Sequence, residues 1–556
     1  MTSNAEAAEI FRSIADLLDL LGEKFKPEAY RRASRSIESL TEDLGAVAAR
    51  GELRSIPGVG EAIAEKIEEY LRTGAVGYYD RLKREIPPGV VELMRLPGLG
   101  PKTARRFWVE LGVEGPTELK DAIAAGRLVG VKGFGAKKID QIRSALDTTA
   151  PGAGGGRRPL EEVYPIAREL VRALRAPNRA DRVEVAGSFR RARESVGDLD
   201  ILVTTQDPAR AFDTFTAHPL VGEVKMRGDT KETVLLKGGL QVDLRVVRPD
   251  EFGAALQYFT GSKDHNVRLR SLARERGLKV NEYGVYRGEE KVAGATEEDV
   301  YASLGLAWIP PELREDRGEI EAAARGTVPT LVTEPDLRGD LHVHLAPEAG
   351  PDAVDRLVAG AQKRGLAYLA VVVAEVAPDG SLSRLPERTL ERLRKYASGA
   401  VTVLPAVEVG LGPLPSGLEV GPADVRIVRP TAASPTLPDP VPPSLRTDLI
   451  AHVGTTVASD AGALARWVDT AQRSGAAVEV GPGVERLDST AARKAREAGI
   501  PLHLPTGLGG PPDDPTGAVA VGFARRAGAS ATDVVNARER ARVRAPASGS
   551  SRGPKR

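Results

Sequence analysis

The sequence contains no cysteine. That excludes disulfides, thiol nucleophiles and cysteine-ligated zinc, and a reducing cytoplasm is the expected compartment. Net charge is nearly absent too: 78 basic residues against 77 acidic ones leave +1. A nucleic-acid-binding surface would therefore have to be local. No run of about 18 apolar residues offers a membrane span. The opening stretch "MTSNAEAAEIFRSIADLLDL" lacks the basic region, apolar core and cleavage site of a secretory signal. Aromatic residues make up 4% of the chain, and this scarcity carries no functional reading. What is present in quantity is length: 556 residues exceed one core of ordinary domain size, so several domains are expected.

The chain divides by pattern. Residues 1–148 carry apolar positions at helical spacing. A Gly/Pro-rich linker follows at 148–159, "TTAPGAGGGRRP". Residues 160–318 mix a helix with short strand-like runs such as "DLDILV" and "LQVDLRVV". A second linker is expected over 319–336. Beyond it, strand-like and helical runs alternate, which points to βα units. The Pro-rich run 411–446 reads as a long surface loop, and the tail 544–556 as disordered.

Within the helical third, one pattern recurs at 53–71, 93–111 and 128–146: an apolar lead, Gly-x-Gly, then an amphipathic helix. The glycine pairs are Gly58/Gly60, Gly98/Gly100 and Gly133/Gly135. Two glycines permit a tight turn with positive φ and leave N–H groups free at a helix start, where a phosphate is favoured. A single copy could merely close a helix pair. Three copies favour gripping a nucleic-acid backbone without reading its sequence.

In "VAGSFRRARESVGDLDILV" (185–203), Asp198 and Asp200 stand one residue apart in an apolar run. On a strand they project from the same face, while Leu199 and Ile201 face the core. Like charges this close repel, and a divalent cation relieves them. Asp243, isolated in "LQVDLRVV", offers a third carboxylate for a two-metal site. Gly187-Ser188 at a helix start, followed by Arg190 and Arg191, suits a triphosphate. The competing reading is an ordinary turn before a strand with exposed aspartates.

"GSFRR…GDLD" followed by "VDLR" resembles the nucleotidyltransferase core of family X DNA polymerases, and "YFTGSKDHNVRLR" (258–270) resembles their nucleotide-pocket motif. The resemblance runs in order over residues 1–318. It implies a multidomain fold: all-α helix-hairpin-helix N-terminal domains, an α+β nucleotidyltransferase palm and a C-terminal α/β barrel-type domain. The boundaries expected are 1–80 for a lyase-like domain, 81–148 for a second helical DNA-binding domain, 149–249 for the palm, 250–318 for the nucleotide-pocket subdomain and 337–543 for the C-terminal domain. Asp198, Asp200 and Asp243 then match the metal-binding carboxylates, with Asp243 nearest the primer 3′-hydroxyl. Ser188 and Arg191 match triphosphate contacts, and Gly187 and Gly197 shape the loops. Tyr258 and Phe259 match the segment beside the sugar, and Gly261 and Ser262 continue its turn. Asn266 matches the contact to the incoming base and Arg270 one near the templating base. Gln241 stands where some relatives carry arginine. Lys26 and Tyr30 match residues around a 5′-phosphate, and Lys66 matches a Schiff-base lysine that removes 5′-deoxyribose phosphate. Ala62 replaces a lysine common in the family. Without the resemblance, Lys66 is a solvated helix lysine paired with Glu69.

"GDLHVHLAPEAG" (339–350) places His342 and His344 just after a strand-like run, a plausible metal-ligand pair. The segment resembles the start of a polymerase and histidinol phosphatase (PHP) domain, which bacterial family X polymerases carry. Glu408 and His452 match two further ligands. Where that family has Asp-His and Asp-x-His, this chain has Val373-Ala374 and Gly507 with Gly509, none of which can ligate. The expected domain keeps its fold and has lost most or all 3′–5′ exonuclease activity.

The whole implies a DNA-directed DNA polymerase filling short gaps in repair. It would use Mg²⁺ or Mn²⁺, two ions at the palm, with gapped DNA and deoxynucleoside triphosphates as substrates. It would act as a cytoplasmic, nucleoid-associated monomer with no membrane partner. Weak 5′-deoxyribose phosphate lyase activity is expected. The alternatives are a template-independent nucleotidyltransferase, a polymerase with residual exonuclease, and a non-catalytic DNA-binding scaffold.

Overall fold

The computed structural model describes residues 4–38, 44–73, 76–94, 99–128, 139, 142–143, 157–176, 180–379, 381–411, 423–429, 448–452, 463–483, 486–511 and 513–539. Two compact units divide the chain, Met1–Gly156 and Arg157–Arg556.

In the first unit every described regular element is helical. Helices Asn4–Leu21 and Lys26–Glu38 pack through Phe11, Ile14, Leu18, Tyr30 and Ile37, all buried. The described part forms one apolar cluster running from Ala7 to Ile142. Among the described residues, one apolar core serves both 1–80 and 81–148.

The second unit opens with a five-stranded mixed sheet. Its strands are β1 (Arg182–Val185), β2 (Asp198–Thr204), β3 (Val221–Arg227), β4 (Lys231–Leu236) and β5 (Gln241–Val246), in spatial order β1-β2-β5-β4-β3. Only β2 and β5 run parallel. Alternation in β2 sends Leu199, Ile201 and Val203 into the core, each fully buried.

The next subdomain packs helices Phe252–Thr260, Lys263–Glu275 and Glu297–Ser303 on a small antiparallel sheet of β6 (Lys279–Asn281), β7 (Gly284–Arg287) and β8 (Glu290–Ala293). The linker expected over 319–336 is corrected here. Helix Glu319–Ala324 buries Ile320 and Ala323 in this subdomain's core. Its first residue, Glu319, pairs at 2.6 Å with Nδ1 of the fully buried His265. Leu331 and Val332 are buried as well. Polar flanks hid this apolar spacing from the sequence.

The C-terminal domain is an eight-stranded sheet. Seven strands run parallel: β9 (Gly339–Val343), β10 (Tyr368–Val376), β12 (Thr402–Gly410), β13 (Val425–Arg429), β14 (Leu449–Ile450), β15 (Ala477–Glu479) and β16 (Leu502–His503). The eighth, β11 (Leu382–Arg384), pairs antiparallel with β10. The parallel strands follow chain order, so the sheet curls into a nearly closed barrel. Fully buried Asn536 bridges the first and last strands, donating to Gly339 O at 2.9 Å and Leu504 O at 2.8 Å and accepting from Leu504 N at 3.1 Å. Strand β13 lies inside the Pro-rich run read as a surface loop. Val425, Ile427 and Val428 are buried there, so that reading fails for these residues. The palm and barrel share one apolar cluster, from Leu160 to Val534.

A buried ion-pair centre ties the palm to the second subdomain. Glu297 takes both terminal nitrogens of Arg190, at 2.7 and 2.8 Å, and Arg314 Nη1 at 2.5 Å. Arg314 is fully buried. Burial works against ionising Glu297, but Arg314 and Arg190 outweigh it and hold the carboxyl down to about 2. Glu297→Gln should lower unfolding free energy by about 3–5 kcal/mol at neutral pH, because it strands two guanidiniums. A depressed carboxyl contributes fully above its ordinary value of 4.5 and loses that contribution as pH falls toward 2. Denaturant titrations of wild type and E297Q should therefore differ most near neutrality and converge in acid.

Candidate functional site

Register decides what the palm aspartates do. In the β2–β5 ladder Asp198 pairs with Gln241 and Asp200 with Asp243. Asp198 is exposed, Asp200 half-buried and Asp243 buried. Burial first, then the charges of Asp198 and Asp243, push Asp200 up to about 6, with Arg245 and Lys231 opposing. Such crowding of hard oxygen donors suits a divalent cation. Asp243 is partly neutralised already. Thr233 Oγ1 donates to it at 2.7 Å, Lys231 Nζ lies 2.6 Å from its other oxygen, and Arg245 Nη2 stands at 3.6 Å. Lys231 and Thr233 escaped the sequence reading. Their relevance depends on β4 pairing with β5, which sets Thr233 opposite Asp243.

The Gly187–Arg190 helix is a single turn, so its dipole is small, and the expected triphosphate grip rests on side chains and the loop. Gly187 has φ +65°, and a Cβ there would lie 3.0 Å from Asp200 Oδ2. Only glycine brings this loop so near the carboxylate. Ser188 and Gly197 are half-buried beside it. The two arginines diverge. Arg190 is the structural partner of Glu297. Arg191 donates through Nε to Glu315 Oε1 at 3.0 Å and through Nη1 to the Thr260 carbonyl. Its guanidinium is thus committed within the protein.

Residues 258–270 form the wall of the second subdomain. Tyr258 and Phe259 meet edge to face at 5.2 Å, and Arg245 lies over the Phe259 ring at 4.2 Å. Gly261 adopts φ +71°, with Arg191 Nη1 only 3.1 Å from where a Cβ would stand. Ser262 caps the next helix by accepting from His265 N at 3.2 Å. Asn266 is buried with its amide engaged: it donates to Tyr258 O at 2.7 Å and accepts from Gln257 Nε2 at 2.7 Å. These two bonds fix the orientation of the amide, leaving one N–H and one lone pair uncommitted by them. Arg270 is exposed, and its Nε donates to Asn266 O at 3.2 Å.

In the N-terminal unit, Lys26, Tyr30, Gly58, Gly60, Ala62 and Lys66 line one open pocket of about 1020 Å³, together with Arg54 and Arg81. Lys66 Nζ donates to Ala62 O at 2.8 Å and sits 5.1 Å from the centre of the Tyr78 ring. Glu69 accepts from Gly77 N at 3.0 Å. Tyr30 stacks between Phe11 and Tyr78. Gly58 has φ +87° and no room for a side chain against Arg32. Gly100 caps helix Pro101–Leu111. Gly98, Gly133 and Gly135 lie outside the described residues.

At the C-terminal ends of the barrel strands, His342, Glu408 and His452 offer donor atoms within 4.8 Å of one another. They are the one group of three potential ligands this close among the described residues. His344 Nε2 stands 3.0 Å from Glu408 Oε2. Sequence reasoning missed a fifth member, fully buried Glu479, whose Oε2 lies 3.1 Å from His342 Nδ1. The donor set is already neutralised by cations. Arg429 Nε reaches Glu408 at 3.2 Å, and Arg486 Nε reaches Glu479 at 3.0 Å. Burial disfavours the charged imidazole of His342, yet Glu479 and Glu408 push it up to about 10. A Cβ at Gly509 would lie 2.9 Å from the His344 carbonyl, so this ligand-free position borders the cluster. The residues present do not fit a multi-metal centre.

Comparison with known proteins agrees with this layout. A helix-hairpin-helix domain model matches residues 2–76 and a SAM-like helix-hairpin-helix tandem model matches 90–148. The DNA polymerase beta palm matches 157–246 and the DNA polymerase beta thumb 255–315. The DNA polymerase/3′-5′ exonuclease PolX of Bacillus subtilis (strain 168) is 34% identical over 367 residues, 65% of this chain and 63% of that protein. DNA polymerase lambda of Rattus norvegicus is 29% identical over 345 residues, 56% of each chain. The Arabidopsis thaliana polymerase lambda is 25% identical over 346 residues, 56% of this chain and 62% of its own. The chain thus spans less than two thirds of the length of these relatives. Among the described residues no helix is long and apolar enough to cross a membrane. With palm and thumb both matched, and a third aspartate in register with the Asp-x-Asp strand, the chain is similar to the family X DNA polymerases.

Proposed function

We propose that the chain is a DNA-directed DNA polymerase that fills short gaps in DNA during repair. The observation that carries this reading is the ladder that sets Asp200 beside Asp243, with Asp198 on the same strand face. Asp198, Asp200 and Asp243 are the residues to hold two Mg²⁺ or Mn²⁺ ions. Such ions, when bound, favour the ionised primer hydroxyl and offset charge on the triphosphate. Ser188 and the Gly187 loop receive the triphosphate, joined by Arg191 once it leaves Glu315. Tyr258 and Phe259 line the sugar side. Asn266 and Arg270 serve the base pair, which favours a templated over a template-independent reaction. The helix-hairpin-helix modules hold the DNA backbone, so affinity should fall steeply with salt. The same reading puts the chain at the nucleoid in the cytoplasm, working as a monomer.

The Lys66 pocket supports a weak 5′-deoxyribose phosphate lyase activity. Lys66 is half-buried among Lys26, Arg54 and Arg81, which suit a 5′-phosphate. The barrel site supports loss of exonuclease activity, since Arg429 and Arg486 cover the carboxylates that metals would need.

Three outcomes are expected. Asp198→Ala should abolish templated primer extension on gapped DNA, by at least about a thousandfold, and leave DNA affinity within twofold; retained extension removes the metal-site assignment. Borohydride should trap a DNA adduct that disappears in Lys66→Ala, and an undiminished adduct removes the lyase reading. Pure protein given Mn²⁺ without nucleotides should leave the primer intact. A 3′–5′ exonuclease activity abolished by His342→Ala would contradict the account of the barrel.

A further inference from the structure

The barrel domain touches the nucleotide loop of the palm directly. Helix Thr516–Arg526 lies behind residues 191–194, just after the Gly187–Arg190 turn. Arg526, 2% exposed, is the centre of this contact. Its Nη1 donates to the Arg191 carbonyl at 3.1 Å and to Glu315 Oε1 at 2.7 Å. Glu315 Oε1 is the same atom that takes Arg191 Nε at 3.0 Å. Arg526 Nε donates to Ser489 Oγ at 3.2 Å, and that hydroxyl donates in turn to Glu194. One turn earlier, Gly522 lies so close to Ala192 that a Cβ at 522 would stand 2.8 Å from the Ala192 Cβ.

We propose that Arg526 is a positioning residue for the triphosphate site, and that the barrel domain is retained as the rear wall of the nucleotide loop. This rests on the polymerase reading above. Two arguments point the same way. The loop that carries Ser188 and Arg191 has its exit fixed at three places: the Arg191 carbonyl, the Ala192 methyl and the Glu194 carboxylate. Arg526 also shares the charge of Glu315. Without it, Glu315 is balanced by Arg191 and by Arg193, whose Nη1 stands at 3.5 Å. Arg191 is then held more tightly and is less able to turn to a triphosphate. A buried guanidinium with several acceptors suits this task, since its fork holds two partners at fixed angles.

Neighbouring Arg525 supplies the control. It reaches Glu312 at 2.6 Å and Val332 O at 3.1 Å, so it helps dock the barrel without touching residues 187–194.

The test uses the full chain on gapped DNA with Mg²⁺. Affinity for a fluorescent deoxynucleoside triphosphate is titrated beside single-nucleotide insertion kinetics and thermal melting. Arg526→Ala should raise the nucleotide Kd and KM about tenfold, the scale of one charge-assisted hydrogen bond, with kcat within twofold. Arg526→Lys should restore part of the loss. Arg525→Ala should lower the melting temperature with KM unchanged. If R526A does not fold, Gly522→Ala tests the same wall, and its nucleotide KM should rise as Ala192 is displaced. A wild type that neither binds nor inserts the nucleotide overturns both readings. A wild type that inserts normally, with Kd and KM unmoved in the folded variant, overturns the role of Arg526 alone, as does a loss confined to kcat or equal in R525A.

Discussion

Two consecutive arginines, one gripped by the buried Glu297 and the other by the largely buried Glu315, govern how this core is assembled. Arg190 is locked on Glu297 and Arg191 on Glu315. Both glutamates come from beyond the palm, and each is shared with a second arginine: Arg314 for Glu297 and Arg526 for Glu315. Adjacent side chains thus bind the palm loop to the thumb twice, and through the second grip to the barrel as well. Exposed pairs of this kind would contribute little. Here burial makes each charge costly to leave alone, so breaking one partner exposes the other.

The same principle separates the two carboxylate-rich sites. In the palm, like charges are left crowded, and Asp200 rises to about 6 as a result. Lys231 and Thr233 relieve only Asp243. At the barrel mouth the carboxylates are answered from within, Glu408 by Arg429 and both Glu408 and Glu479 by His342. One site keeps its electrostatic demand for cations, and the other has met it with side chains. This difference fits the proposed reading, in which the palm aspartates hold cations and the barrel, with valine, alanine and glycine at positions 373, 374, 507 and 509, does not act as a nuclease.

Much of this was legible in the sequence, for physical reasons. Asp198 and Asp200 stand out because alternate strand positions share a face, and an apolar neighbour on each side fixes which face is core. Glycines that need positive φ, such as Gly58 and Gly187, mark loops by their type alone. What stayed hidden depends on pairing between distant segments. Thr233 opposite Asp243, Glu479 beside His342 and Arg526 against Arg191 are separated by up to hundreds of residues, and no local pattern announces them. Strand β13 was lost inside proline-rich flanks, and helix Glu319–Ala324 was too short for its apolar spacing to register. Asn266 stood out only through the resemblance, as a match to a base contact, and its bonds to residues 257 and 258 needed coordinates.

The most direct measurement is anomalous scattering from crystals of the full chain soaked in Mn²⁺ with gapped DNA and a non-hydrolysable deoxynucleoside triphosphate. The account predicts manganese peaks bounded by Asp198, Asp200 and Asp243, and no cluster of peaks around His342, Glu408 and Glu479. Manganese gathered at the barrel histidines with the palm aspartates bare would contradict it.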